Sequence, residues 1–117
     1  MSKKILIIDD DPNVVDYLEV LFQDNGYTTF SAGDAQEGFD TAKRETPDMI
    51  TLDIEMPGDW GPRFYRKMSR EKFIKNTPVM VISGLSGSKY AVGKAVASIS
   101  KPFDRDEVLK IVRDTIG

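Results

Sequence analysis

The chain has 117 residues, enough for one hydrophobic core and too few for two. Its formal net charge is −3 and no basic patch stands out, which argues against direct nucleic-acid binding. Cysteine and histidine are both absent, which excludes disulfides, thiolate metal sites, zinc catalysis and Ser-His-type triads.

Lys4 to Ile8 carries a continuous apolar run, which predicts a buried parallel strand, and Asp9, Asp10 and Asp11 close it. Asp11 followed by Pro12 reads as a helix N-cap with proline at the first helical position. Val14, Leu18, Leu21 and Phe22 then recur at helical spacing and predict one buried face, and Asn25-Gly26 stops the helix. Tyr27 to Ala32 is a weaker strand. Asp34-Ala35-Gln36-Glu37 has capping-box form and opens a short second helix with Ala35, Phe39 and Ala42 inward. Thr46-Pro47 ends that helix before a third strand, Met49 to Leu52, closed by Asp53.

Met56 to Pro62 is a turn-rich loop, followed by a helix over Arg63 to Glu71 with Phe64 and Met68 on one side. Pro78 to Ile82 is the fourth strand and runs into Ser83-Gly84. A glycine- and serine-rich stretch leads to a short, poor helix around Lys89 to Val96. Ala97 to Ser100 is a brief fifth strand, followed by Lys101-Pro102-Phe103. Asp104 and Glu107 suggest another capping box, with Val108, Ile111, Val112 and Thr115 on the inner face of the last helix. Met49, Met68 and Met80 lie at core spacing, and the charge-rich stretch from Arg63 to Lys75 reads as a solvated helical face.

Five strand-then-helix units predict an α/β fold: one doubly wound (βα)5 domain spanning 1–117, with a five-stranded parallel sheet and helices on both faces. No output domain is expected in this chain. Neither a signal segment nor an apolar stretch of membrane-spanning length occurs, so a cytoplasmic location without membrane insertion is expected.

In a parallel sheet the chemistry collects beyond the carboxyl ends of the strands. Asp9 and Asp10, Asp53, Ser83 and Lys101 close strands one, three, four and five, so all should open on one edge. Two unit charges about 4 Å apart repel by roughly 4 kcal/mol at an effective dielectric near 20, so the carboxylates call for a cation. Oxygen ligands with no histidine or cysteine favour Mg²⁺. A carboxylate beside that metal can attack a phosphoryl group, whose oxygens the metal, the Lys101 ammonium and the Ser83 hydroxyl can share. Each residue alone has an ordinary reading: a solvated cap, a loop carboxylate, a Ser-Gly turn, a surface lysine.

Ile5 to Pro12 (ILIIDDDP), Leu52 to Gly58 (LDIEMPG), Val81 to Gly84 (VISG) and Lys101-Pro102-Phe103 together resemble the four signatures of a response-regulator receiver domain, CheY-like, in their usual order. The resemblance covers essentially the whole chain. It implies the flavodoxin-like strand order 2-1-3-4-5, Asp53 as phospho-acceptor and Mg²⁺ held by Asp10, Asp53 and the Glu55 backbone carbonyl, with Asp9 contributing through water. It further implies Ser83 as the switch hydroxyl, Lys101 paired with the phosphate and a cis Lys101-Pro102 bond. The implied partners are a sensor histidine kinase or histidine phosphotransfer protein and an unidentified downstream protein, with the chain a monomer or weak dimer.

The chain departs from the family pattern in places. Ser98 stands where an aromatic usually rotates with the switch hydroxyl, which leaves Tyr90 or Phe103 as substitutes, and Trp60 stands where aspartate is common. Lys101 follows Ser83 by 18 positions, about one helical turn short, which with Gly87 and Gly93 predicts a shortened or irregular fourth helix. Glu55 and Leu85 occupy positions that influence loss of the phosphoryl group, and Leu85 is expected to shield it from water.

The expected role is stoichiometric, not enzymatic, apart from autodephosphorylation. Two rivals stand beside it: an aspartate-nucleophile phosphatase of the haloacid-dehalogenase type, and an interaction module that works without phosphorylation. Glu55 in place of the aspartate acid/base, and the lack of length for a cap, weigh against the phosphatase.

Overall fold

Strands whose residues are apolar without alternation must be covered on both faces. The computed structural model describes residues 2–53, 64, 66–68, 70–71, 76–83, 97–100 and 103–117. Its strands are β1 (Lys4–Ile8), β2 (Thr28–Ala32), β3 (Met49–Asp53), β4 (Val79–Ser83) and β5 (Ala97–Ser100). They form one parallel sheet in the order β2-β1-β3-β4-β5, as expected. The chain goes from β1 to one side and returns to the other, so the order reverses between β1 and β3. A crevice therefore opens beyond the carboxyl ends of these two strands.

Successive residues of each strand feed opposite faces. Leu6, Ile8, Ile50, Leu52, Val79 and Val81 build one core with Ala42, Phe64 and Met68. Ile5, Ile7, Met49, Met80 and Ile82 build the other with Leu18, Phe22, Val108 and Val112. All three methionines singled out by their spacing are buried. Each fully buried aliphatic side chain contributes roughly 1.5–3 kcal/mol. Because both faces are apolar, a one-residue slip would cost less here than in an alternating strand, and polar contacts at the strand ends help to set the register. At the amino end the Lys4 N–H donates to Asp48 Oδ2 (2.7 Å), the Asp48 N–H donates to the Lys4 carbonyl (2.8 Å), and the Lys4 ammonium reaches the Glu45 carbonyl.

Helix α1 (Pro12–Asp24) starts as its sequence predicts. Asp11 is the N-cap, its carboxylate accepts from the Asn13 N–H, and Pro12 occupies the first turn. Gly26, at φ +90°, turns the chain out of the helix. Val14 is only half-buried and shares its place with Val15.

Helix α2 (Ala35–Glu45) deviates in an informative way. Asp34 caps it by accepting from the Glu37 N–H at 2.8 Å, but the return bond from Glu37 falls one residue early, on the Gly33 N–H at 3.3 Å. Ala42 is buried as expected, whereas Ala35 and Phe39 are half-buried and Gly38 and Thr41 lie deeper. The absence of a side chain at Gly38 explains the tilt: a Cβ there would sit 2.7 Å from Ile8 Cδ1, so α2 rests almost directly on β1.

In the C-terminal helix (Arg105–Ile116), Asp104 is the N-cap, but it accepts from the Asp106 N–H and not from that of Glu107. Val108 and Val112 are buried with Leu109, while Ile111 and Thr115 are half-buried. Phe64 and Arg66 to Met68 are helical, with Phe64 and Met68 buried. Glu55, Trp60, Leu85, Tyr90, Lys101, Pro102 and the fourth helix lie outside the described residues. Among the described residues no helix is long and apolar enough to cross a membrane.

Candidate metal and phosphoryl site

β1 and β3 are hydrogen-bonded neighbours in which Ile8 pairs with Leu52. The next residue on each strand is an aspartate, so Asp9 and Asp53 emerge level with one another at the crevice. Both are only 3% exposed. A turn holds Asp9 in place: its N–H donates to the Ala32 carbonyl at 3.1 Å, and its Oδ1 accepts from the Asp11 N–H at 2.9 Å. Asp11 is in turn occupied with capping α1, which leaves Asp10 exposed on the rim.

Carboxylate oxygens of Asp9, Asp10 and Asp53 all lie within 4.8 Å of one another. At that limiting separation each pair of full charges repels by about 3.5 kcal/mol at an effective dielectric near 20, less where Asp10 faces water. An all-oxygen donor set with two buried carboxylates fits a hard divalent cation such as Mg²⁺.

The next strand carries the register outward. Asp53 pairs with Ile82, so Ser83 ends β4 one step beyond it, and Ser83 pairs with Ser100 on β5. Ser98, at the position of the usual aromatic, pairs with Val81 below this edge. Lys101 and Glu55 fall outside the described residues; in sequence Lys101 follows Ser100 directly and Glu55 follows Asp53 by two positions. Phe103 packs edge-on against Tyr17 at 5.6 Å between ring centroids, so it is engaged with α1.

A cleft of about 430 Å³ adjoins the cluster, with Asp9, Asp10, Asp16, Glu19 and Ser31 in its lining. Asp16 and Glu19 did not figure in the sequence reading as site residues. Their spacing of three along α1 was a signal that they share a face, but only the packing of α1 beside β1 brings that face to Asp10.

A family model of the response regulator receiver domain matches residues 5–113. The chain belongs to this family. As a receiver domain of two-component signalling it is similar to Protein Rrf1 of Nitratidesulfovibrio vulgaris, at 33% identity over 112 residues, 96% of this chain and 81% of that one. It is also similar to sporulation initiation phosphotransferase F of Bacillus subtilis, at 30% identity across 97% of this chain and 93% of the relative. Among solved structures, chemotaxis protein CheY4 of Vibrio cholerae superposes with a TM-score of 0.90 at 27% identity, covering 99% of this chain and all of that one. Response regulator TrrA of Thermotoga maritima, solved in complex with Mg(2+)-BeF, gives a TM-score of 0.87 at 27% identity, covering 97% and 99%. The acidic cluster of this receiver domain thus stands on the sheet edge of a CheY-like fold.

Proposed function

We propose that this receiver domain accepts a phosphoryl group on Asp53 and passes the signal to a protein partner through a conformational switch. The observation that carries the reading is the Asp9, Asp10 and Asp53 cluster at the switch point of the sheet. Asp9, Asp10, Asp53 and the Glu55 carbonyl would hold Mg²⁺. When bound, that ion offsets the charge of the carboxylates and of the incoming phosphoryl oxygens.

A carboxylate oxygen of Asp53 attacks the phosphorus of a phosphohistidine on a sensor kinase or phosphotransfer protein. The new P–O bond forms as the P–N bond breaks, and the imidazole nitrogen leaves with the electron pair and takes a proton from water. Asp9, anchored by the Asp11 N–H, keeps its carboxylate at the site while Asp53 reacts. The Ser83 hydroxyl and the Lys101 ammonium are assigned to the phosphoryl oxygens, and their movement biases the segment after β4 toward a second state. Hydrolysis of the acyl phosphate resets the domain, so the chain acts as a phospho-acceptor with self-dephosphorylation and not as a turnover enzyme. Its place would be the cytoplasm, as a single receiver domain over 1–117 and a monomer or weak dimer.

The test is intact-mass measurement after incubation with acetyl phosphate and Mg²⁺. The wild-type chain should gain one phosphoryl group, and Asp53→Asn should gain none. Labelling of Asp53→Asn to the wild-type extent, or steady turnover of a phosphate monoester, would overturn the reading.

A further inference from the structure

The central strand contains a hydroxyl that the proposed chemistry does not use. Thr51 is 1% exposed, and among the described residues no hydrogen bond involves its side chain. Its neighbours follow from the pleat, because residues two apart on a strand share a face. Thr51 pairs laterally with Ile7 on β1 and with Met80 on β4, both apolar. Along its own strand Met49 lies on one side and Asp53 on the other. Diagonally, two residues beyond Ile7, lies Asp9. Within this set of neighbours, polar groups lie only toward the acidic cluster.

We infer that Thr51 is a positioning residue for Asp53: its hydroxyl donates toward the carboxylate from beneath through one bridging water. Residues two apart on a strand are separated by roughly 6.6 Å at Cα, a span that one water bridges. The inference rests on the reading of Asp53 as the reacting carboxylate. A hydroxyl in an apolar layer is unfavourable unless it is hydrogen-bonded, and its placement one pleat below the cluster supplies the partner. Asp53 thereby receives support from inside the core, while Asp9 is held from the rim by the Asp11 N–H.

Thr51→Val keeps the shape and removes the donor, and Thr51→Ser keeps the donor and removes a methyl group. Calorimetric titration of the full chain with MgCl₂, and the initial rate of labelling by acetyl phosphate, read the site. The urea midpoint reads the fold. For Thr51→Val the Mg²⁺ affinity and the labelling rate should each fall about three- to tenfold, with the urea midpoint unchanged or slightly lowered. Thr51→Ser should stay within about twofold of wild type on both site measures, as expected when the donor is kept. Wild-type affinity and rate in Thr51→Val would overturn the inference, as would equal losses in Thr51→Val and Thr51→Ser. Labelling of Asp53→Asn would instead sink the phospho-acceptor reading, and the Mg²⁺ titration would still decide the role of Thr51.

Discussion

Thr46 closes α2 in the left-handed region, at φ 43° and ψ 65°, with its N–H donating to the Ala42 carbonyl. A β-branched residue is poorly suited to that conformation, and the following Pro47 restricts its backbone further. The left-handed geometry costs a non-glycine residue roughly 1–2 kcal/mol, while glycine gives back part of that through the entropy of the unfolded chain. Thr46→Gly should therefore raise stability by about 0.5–1 kcal/mol, seen as a higher urea midpoint at unchanged slope. A lower midpoint would mean that the hydroxyl bond from Thr46 to the Glu45 carbonyl (2.8 Å) outweighs the backbone strain. The Thr-Pro pair announced a helix end in the sequence, but the hand of the terminating residue depends on how the chain must turn to enter β3.

At the scale of elements, α2 approaches β1 closely at Gly38. Alanine in place of a helical glycine ordinarily gains about 1 kcal/mol from propensity. Here the new Cβ would lie 2.7 Å from Ile8 Cδ1 and 3.1 Å from Cγ1, inside a packed core. Overpacking of this kind costs typically 1–3 kcal/mol, so Gly38→Ala should destabilise by about 1 kcal/mol net. Ile8→Val deletes the Cδ1 atom that the new methyl would meet. In that background Gly38→Ala should become neutral or stabilising, and a double-mutant cycle in urea measures the coupling. Additive single-mutant effects would show that α2 shifts away without cost. Caps were legible in the sequence because they depend on neighbours within three or four residues, as at Asp11, Asp34 and Asp104. The orientation of α2 was not, because it depends on a missing side chain facing a residue thirty positions earlier.

At the scale of the molecule, the sheet gathers like charges from β1 and β3, and the protein is expected to be least comfortable without a cation. With chelator present, Asp53→Asn should melt above wild type, since one of three clustered charges is gone. With Mg²⁺ at about a hundred times its Kd, the wild type should gain roughly 2.7 kcal/mol, a rise of about 8–15 °C in Tm, and the order should reverse. Calorimetric melting of both proteins in each condition checks this. Failure of the order to reverse would separate the cluster from metal binding.

Continuous apolar runs, alternating with segments of helical spacing and each closed by a polar residue, already pointed to a buried parallel sheet, because helices on both sides cover strands that are hydrophobic on both faces. The identities of Asp9, Asp10 and Asp53 as candidates followed from their places at strand ends. The sequence could not assign distances between them, since residues 9 and 53 are brought together only by the strand order β2-β1-β3 and its register. The packing of α1 beside β1 brings Asp16 and Glu19 next to the cluster, and the β1–β3 pairing sets Thr51 one pleat below it. Local chemistry thus chose the elements and their ends, and hydrogen bonding between distant strands decided which side chains share one electrostatic field.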